Sequence, residues 1–280
     1  MLVWVMMSAL MAGGGARGVI LKPVANMYSR PSEAADVVSQ AIYGSNVSLV
    51  EEQSGWAKVR TADEYTGWMQ TSSIKRLSAG EPPYASRGRV ARVTSLFANV
   101  YQEPDVMKRR PLETVPFETA LAVTAEPESE SRWMEVKLPD DRSGWVQRGD
   151  VTFDWQTLSI RETIALSKRF LGLPYYWGGV STFGFDCSGF TQMLCGRRGV
   201  TIPRDASVQA RWDGSVAVDR EHLEPGDFLF FGERKVTHTG MYIGDGKFIN
   251  ATTHERPVVQ ISDLADPYWA KLYITARRIK

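Results

Sequence analysis

Cys187 has the surroundings in this 280-residue chain that most plainly invite chemistry. It falls in Gly184-Phe185-Asp186-Cys187-Ser188-Gly189-Phe190, which reads as a loop-to-helix junction. Unpaired amides and the macrodipole at a helix start favour a thiolate. The flanking glycines allow sharp turning and close approach of a substrate backbone. A thiolate needs an imidazole partner to act as a nucleophile near neutral pH. His238 opens the alternating run HTGMYIG, which puts His238, Gly240 and Tyr242 on one face. A third polar group should orient the imidazole. Asn250 sits in the next run, KFINA, and the short Asp245-Gly246 turn between the runs would make a hairpin that sets it beside His238. His254 is the competing third group, if that strand ends earlier.

Plainer readings stand beside these. Cys187 can also be read as a buried structural thiol. Cys195 lies over two helical turns further on, a rise of about 12 Å, beyond disulfide reach, and reads as core. His222 reads as a solvated loop residue, and the spacing of the three histidines matches no metal-ligand pattern. Arg204 and Asp205, after Pro203, either form a structural pair at a helix start or border a groove.

The elements that must position these groups follow from the local pattern. Ser159-Ile160-Arg161-Glu162 is a capping box that starts a helix, with Ile160, Ile164 and Leu171 expected near one face. Leu171-Gly172-Leu173-Pro174 stops it. A second helix is expected from Cys187 to Arg198, ended by Gly199. Strands are expected over 227–231, 238–244, 247–251 and 272–277. Helices first and an antiparallel run afterwards make an α+β unit.

The first half of the chain repeats itself. Ala25-Asn26-Met27-Tyr28 returns as Ala98-Asn99-Val100-Tyr101, Trp56-Ala57-Lys58-Val59 as Trp133-Met134-Glu135-Val136, and Gly67-Trp68-Met69 as Gly144-Trp145-Val146. Each copy is built of short alternating segments between polar turns, the pattern of small all-β barrels. Core packing is the expected role of the four repeated tryptophans. Leu77-Ser78-Ala79-Gly80-Glu81-Pro82-Pro83 between the copies is a linker by composition.

Composition closes off several classes. Lys plus Arg is 33 against 32 Asp plus Glu, a balance that gives no electrostatic reason to expect nucleic acid. With 43% hydrophobic and 23% charged residues, wholesale disorder is excluded. Two cysteines rule out a disulfide framework. Leu2 to Ala12 is apolar but short of the about 20 residues a bilayer crossing needs. Followed by small residues, it reads as a secretory signal over 1–17, so a secreted or periplasmic protein is expected. A buried first strand is the other reading of that segment.

The two copies, with Asn-hydrophobic-Tyr, Trp-x-x-Val and Gly-Trp in order, resemble bacterial SH3-like domains. LPYYWGG, GFDCSGF and HTGMYIGDGKFINA together resemble the NlpC-type cell-wall peptidases, cysteine peptidases of papain-like fold. Behind the signal segment (1–17), the resemblance implies two SH3-like barrels (18–78 and 88–153) and a peptidase unit (158–280). It implies hydrolysis of the γ-D-Glu to diamino acid amide of peptidoglycan stem peptides by a monomer with no cofactor and no metal. Cys187 would be the nucleophile, His238 the base, Asn250 the orienting group, and Tyr175 a neighbour of the oxyanion. Trp177, Asp186 and Ser188 would line the groove. In relatives of this layout the first SH3-like unit closes one end of the groove and grips a free L-Ala amine. Tyr65 would do so here, with Asp63 or Glu64 as its acidic partner. Two rival functions are a wall-binding protein without activity, and an amidase or acyltransferase on the same thiol fold.

Overall fold

The computed structural model describes residues 15–124 and 131–280; the expected signal segment lies largely outside the described residues. Seven strands follow first: β1 (Arg17–Ile20), β2 (Val24–Tyr28), β3 (Val37–Ile42), β4 (Asn46–Gln53), β5 (Trp56–Arg60), β6 (Thr66–Gln70) and β7 (Ile74–Leu77). They form one antiparallel sheet in the order β3-β2-β6-β5-β4-β1-β7. Seven more repeat the plan: β8 (Val90–Val93), β9 (Phe97–Tyr101), β10 (Glu113–Pro116), β11 (Ala120–Val123), β12 (Trp133–Lys137), β13 (Ser143–Gln147) and β14 (Val151–Thr152). Their order, β10-β9-β13-β12-β11-β8-β14, is that of the first sheet strand for strand.

The repeated residues explain the repeated fold. A Cβ on Gly67 would lie 2.8 Å from Met27 Cβ, and one on Gly144 would lie 2.6 Å from Val100 Cγ1. Only glycine lets these two strands approach. The tryptophans do less core packing than expected. Trp68 is buried, but Trp56, Trp133 and Trp145 are half-buried. Trp56 and Trp133 each meet a tyrosine edge-on, Tyr28 and Tyr101, at the same 5.5 Å and 88°. Smaller side chains fill the interiors: Met27, Val47, Val59 and Met69 in the first barrel, Val100, Leu121, Val136 and Val146 in the second.

The remaining chain is α+β. It holds α1 (Ile160–Lys168), a short ribbon of β15 (Val180–Ser181) and β16 (Gly184–Phe185), α2 (Cys187–Arg197) and α3 (Ala206–Gln209). Then come β17 (Ser215–Val218), β18 (Phe228–Phe231), β19 (His238–Gly244), β20 (Lys247–Thr252), β21 (Val258–Asp263), α4 (Pro267–Leu272) and β22 (Tyr273–Ile279). The six long strands form an antiparallel sheet, β17-β22-β18-β19-β20-β21. Helix α2 lies across it, with Phe170, Phe185, Phe190, Leu194, Phe230, Met241 and Ile249 in one core.

Helix α1 starts on the expected capping box: Ser159 Oγ accepts from Glu162 N and the Glu162 carboxylate accepts from Ser159 N. Its inward face differs in part from the expected one, although Ile164 does pack on the core. Ile160 and Leu171 are 41% and 43% exposed, while Thr163, Leu166, Ser167 and Phe170 are buried. The hydroxyls of Thr163 and Ser167 donate back to Ser159 O and Ile164 O, so burying them leaves no orphaned donor.

Candidate active site

Cys187 is the first residue of α2 and is 7% exposed. Asp186 is the helix N-cap and accepts from Gly189 N at 2.6 Å. The Thr239 and Ser188 backbone N–H groups favour the thiolate form of Cys187. Thr239 follows His238 in β19, so strand and helix start meet at the thiol.

His238 and Asn250 come together as the hairpin predicts. Imidazole Nε2 lies 2.8 Å from Asn250 Oδ1. Strand register puts Met241 opposite Ile249, and a Cβ on Gly240 would lie 2.9 Å from Asn250 Cβ. The glycine in His-Thr-Gly is thus the space Asn250 occupies. The amide of Asn250 is fixed by its other end: Nδ2 donates to Gln260 O at 3.2 Å and to Ser262 Oγ at 3.1 Å. Oδ1 therefore faces the ring as an acceptor, so Nε2 carries the hydrogen and Nδ1 keeps its lone pair. Trp269 stacks on the imidazole at 4.9 Å and 29°. His254 instead stacks on Tyr268, at 3.8 Å and 2°, and meets Trp269 edge-on at 5.5 Å.

Burial keeps the Cys187 thiol and the His238 imidazole neutral. Burial, then the Asp186 charge, push the Cys187 thiol from 9.0 up to about 12, against the two N–H groups and the Arg204 charge. Burial pushes His238 from 6.5 down to about 4, against its bond to Asn250 and the Asp186 charge. The resting pair is thiol and neutral imidazole. Tyr175 pairs by its backbone with Phe185, two residues before the thiol. Its hydroxyl is held protonated, raised by burial and then by the charges of Cys187 and Asp186, and so remains a donor.

The expected groove-lining residues divide. Trp177 is 68% exposed and free to meet a ligand. Asp186 and Ser188 are buried and engaged elsewhere, which corrects the expectation that they line the groove. The Asp186 carboxylate accepts from Gly178 N, Gly189 N, Ser188 Oγ and both Arg204 Nη atoms. These bonds leave it no lone pair for substrate.

Tyr65 has a different acidic neighbour from either expected one. Its hydroxyl donates to Asp205 Oδ1 at 3.3 Å, across from the first barrel to the last unit. Burial, then Asp205, push the phenol up to about 12. Asp63 is occupied by Thr61 and by Gln192 Nε2. Glu64 faces Arg60 at 3.6 Å with its side chain 77% exposed. Arg204, next to Asp205, is 3% exposed and clasps Asp186. Sequence reading left the roles of Arg204 and Asp205 open, and missed Trp269 altogether.

A cysteine at the start of a helix that packs on the strand carrying an imidazole–amide pair fits a papain-like fold, here behind two SH3-like barrels. Residues 172–278 match the NlpC/P60 family, and residues 27–74 match the bacterial dipeptidyl-peptidase SH3 domain. The chain is 37% identical over 266 residues to a gamma-D-glutamyl-L-lysine dipeptidyl-peptidase of Bacillus cereus, covering 88% of this chain and 76% of that one. It is 28% identical to dipeptidyl-peptidase 6 of Lysinibacillus sphaericus, covering 84% and 87%. A crystal structure of an NlpC/P60 family protein from Bacillus cereus superposes with a TM-score of 0.80 at 30% identity, covering 94% of this chain and 99% of that one. The chain belongs to the NlpC/P60 family and is a cell-wall peptidase, a hydrolase.

Proposed function

We propose that the chain hydrolyses the amide between γ-D-Glu and the diamino acid of peptidoglycan stem peptides. The observation that carries the chemistry is the His238–Asn250 contact, which leaves Nδ1 as the ring's acceptor. Cys187 Sγ attacks the amide carbonyl carbon while its proton passes to Nδ1. The tetrahedral oxyanion is held by a backbone amide at the start of α2 and by the Tyr175 hydroxyl. As the C–N bond breaks, the imidazolium returns that proton to the leaving amine. Water, deprotonated by the same imidazole, then attacks the thioester and restores the thiol.

The bond is assigned from the gamma-D-glutamyl-L-lysine dipeptidyl-peptidases among the relatives. The Tyr65–Asp205 pair supports a substrate with a free L-Ala amine, because a carboxylate beside a phenolic oxygen suits an ammonium. Such stems are already detached from glycan, which fits turnover or recycling outside the cytoplasm. Incubating the protein with L-Ala-γ-D-Glu-L-Lys and its meso-diaminopimelate counterpart tests the bond. Mass spectrometry should find L-Ala-γ-D-Glu from at least one of them. Release of free L-Ala as the first product would refute the assignment.

A further inference from the structure

The buried Arg204–Asp186 pair ties together three parts of the molecule. The guanidinium meets the carboxylate through two bonds, Nη2 to Oδ2 at 2.7 Å and Nη1 to Oδ1 at 3.1 Å. Nη1 also donates to Ser188 Oγ at 2.8 Å. Nε donates to Ser39 Oγ at 3.0 Å, and Ser39 is a buried residue of β3 in the first barrel. The next residue of that strand, Gln40, accepts through Oε1 from Val180 N at 3.3 Å. The first barrel therefore docks on the segment that leads into Cys187, and one of its side chains completes the setting of the arginine.

We propose that Arg204 is a positioning residue through which docking of the first barrel sets the reactivity of Cys187. The reading of Cys187 as nucleophile is assumed. Asp186 has to be where it is, because it caps α2 and holds the loop at Gly178. Its negative charge sits one residue from the thiol and opposes a thiolate there. Arg204 supplies the compensating charge through a two-bond contact of its planar fork with the carboxylate, Nη1 to Oδ1 and Nη2 to Oδ2. Ser39 holds the guanidinium from the other unit. The titration of Cys187 runs the same way: after burial, Asp186 raises it and Arg204 lowers it.

The test uses the full, substrate-free chain and iodoacetamide at mildly alkaline pH, with the labelled Cys187 peptide quantified by mass. Arg204→Met should slow Cys187 labelling by about 10-fold or more, the effect of one pH unit in thiolate fraction. Adding Asp186→Asn should bring the rate back to near wild type, since asparagine still caps a helix and the charge is gone. Ser39→Ala should slow labelling in the same direction by a smaller factor. Melting temperatures are taken in parallel. A merely structural role would lower them and leave the labelling rate unmoved, and that result would overturn the proposal. So would a double variant as slow as Arg204→Met alone. If Arg204→Met fails to fold, the double variant, which leaves no buried charge unpaired, and Ser39→Ala decide the matter. Failure of the nucleophile assignment looks different: Cys187→Ala would retain hydrolysis whatever the labelling rates.

Discussion

Asn250 Oδ1 accepts from His238 Nε2 at 2.8 Å, and the asparagine cannot turn round, because its Nδ2 is committed to Gln260 O and Ser262 Oγ. One hydrogen bond thus selects the imidazole tautomer. Asn250→Ala frees the ring to take either tautomer. Turnover should fall about 10 to 10³-fold, in the range of orienting groups elsewhere. His254→Ala should be mild, since His254 stacks on Tyr268 while the imidazole bonds Asn250. Steady-state kinetics on a defined tripeptide decides, and the reverse ranking would reject Asn250 as the third member.

The two cysteines are both buried and free, but only Cys187 stands at a helix start. Cys187→Ala and Cys187→Ser should abolish hydrolysis with the circular dichroism unchanged. Cys195→Ser should keep activity within a few-fold. A dead Cys195 variant beside a working Cys187 variant would move the site.

The pH profile follows from the shifted groups. Protonating His238 removes the base, so kcat/KM falls as pH drops through its folded value. That value is lowered by burial to about 4, so the acid limb should lie well below the ordinary 6.5. The same shift affects stability. Between 6.5 and about 4 the unfolded chain binds more protons at this residue than the folded one. This contribution is therefore complete above 6.5 and is lost as pH falls toward 4. An acid limb at or above 6.5 in initial-rate measurements would contradict the enclosed, neutral imidazole.

Tyr65 and Asp205 should act as a pair on the substrate amine. N-acetylating the L-Ala should lower kcat/KM about 10 to 150-fold, the worth of roughly 1.5–3 kcal/mol in charge-assisted hydrogen bonds. Tyr65→Phe and Asp205→Asn should each shrink that ratio, while Glu64→Gln should leave it alone. Equal rates on free and acetylated peptides would remove the clamp.

The site was legible where its determinants are local. The Asp-Cys-Ser-Gly helix start, the Asp245-Gly246 turn and the alternation of HTGMYIG sufficed to bring Asn250 to His238. The repeat was legible because Gly67 and Gly144 answer the same steric demand from Met27 and Val100. Three features were not legible. Thr163 and Ser167 are polar letters buried by satisfying their hydroxyls within the helix, so the inward face of α1 was misjudged. Asp205 meets Tyr65 across 140 residues of chain, and Ser39 meets Arg204 across 165, distances over which no spacing carries information. Trp269 reaches His238 only because the short helix α4, unforeseen from the pattern, folds back over the sheet.

The central claim is that Cys187 forms a thioester with the γ-carboxyl of the D-Glu in a stem peptide. The most direct measurement is mass spectrometry of the protein rapidly acid-quenched during turnover of L-Ala-γ-D-Glu-L-Lys. The account predicts an L-Ala-γ-D-Glu adduct on the peptide containing Cys187, absent from Cys187→Ala, with free lysine released in step. Turnover with no adduct in that peptide, or an adduct that includes the lysine, would contradict it.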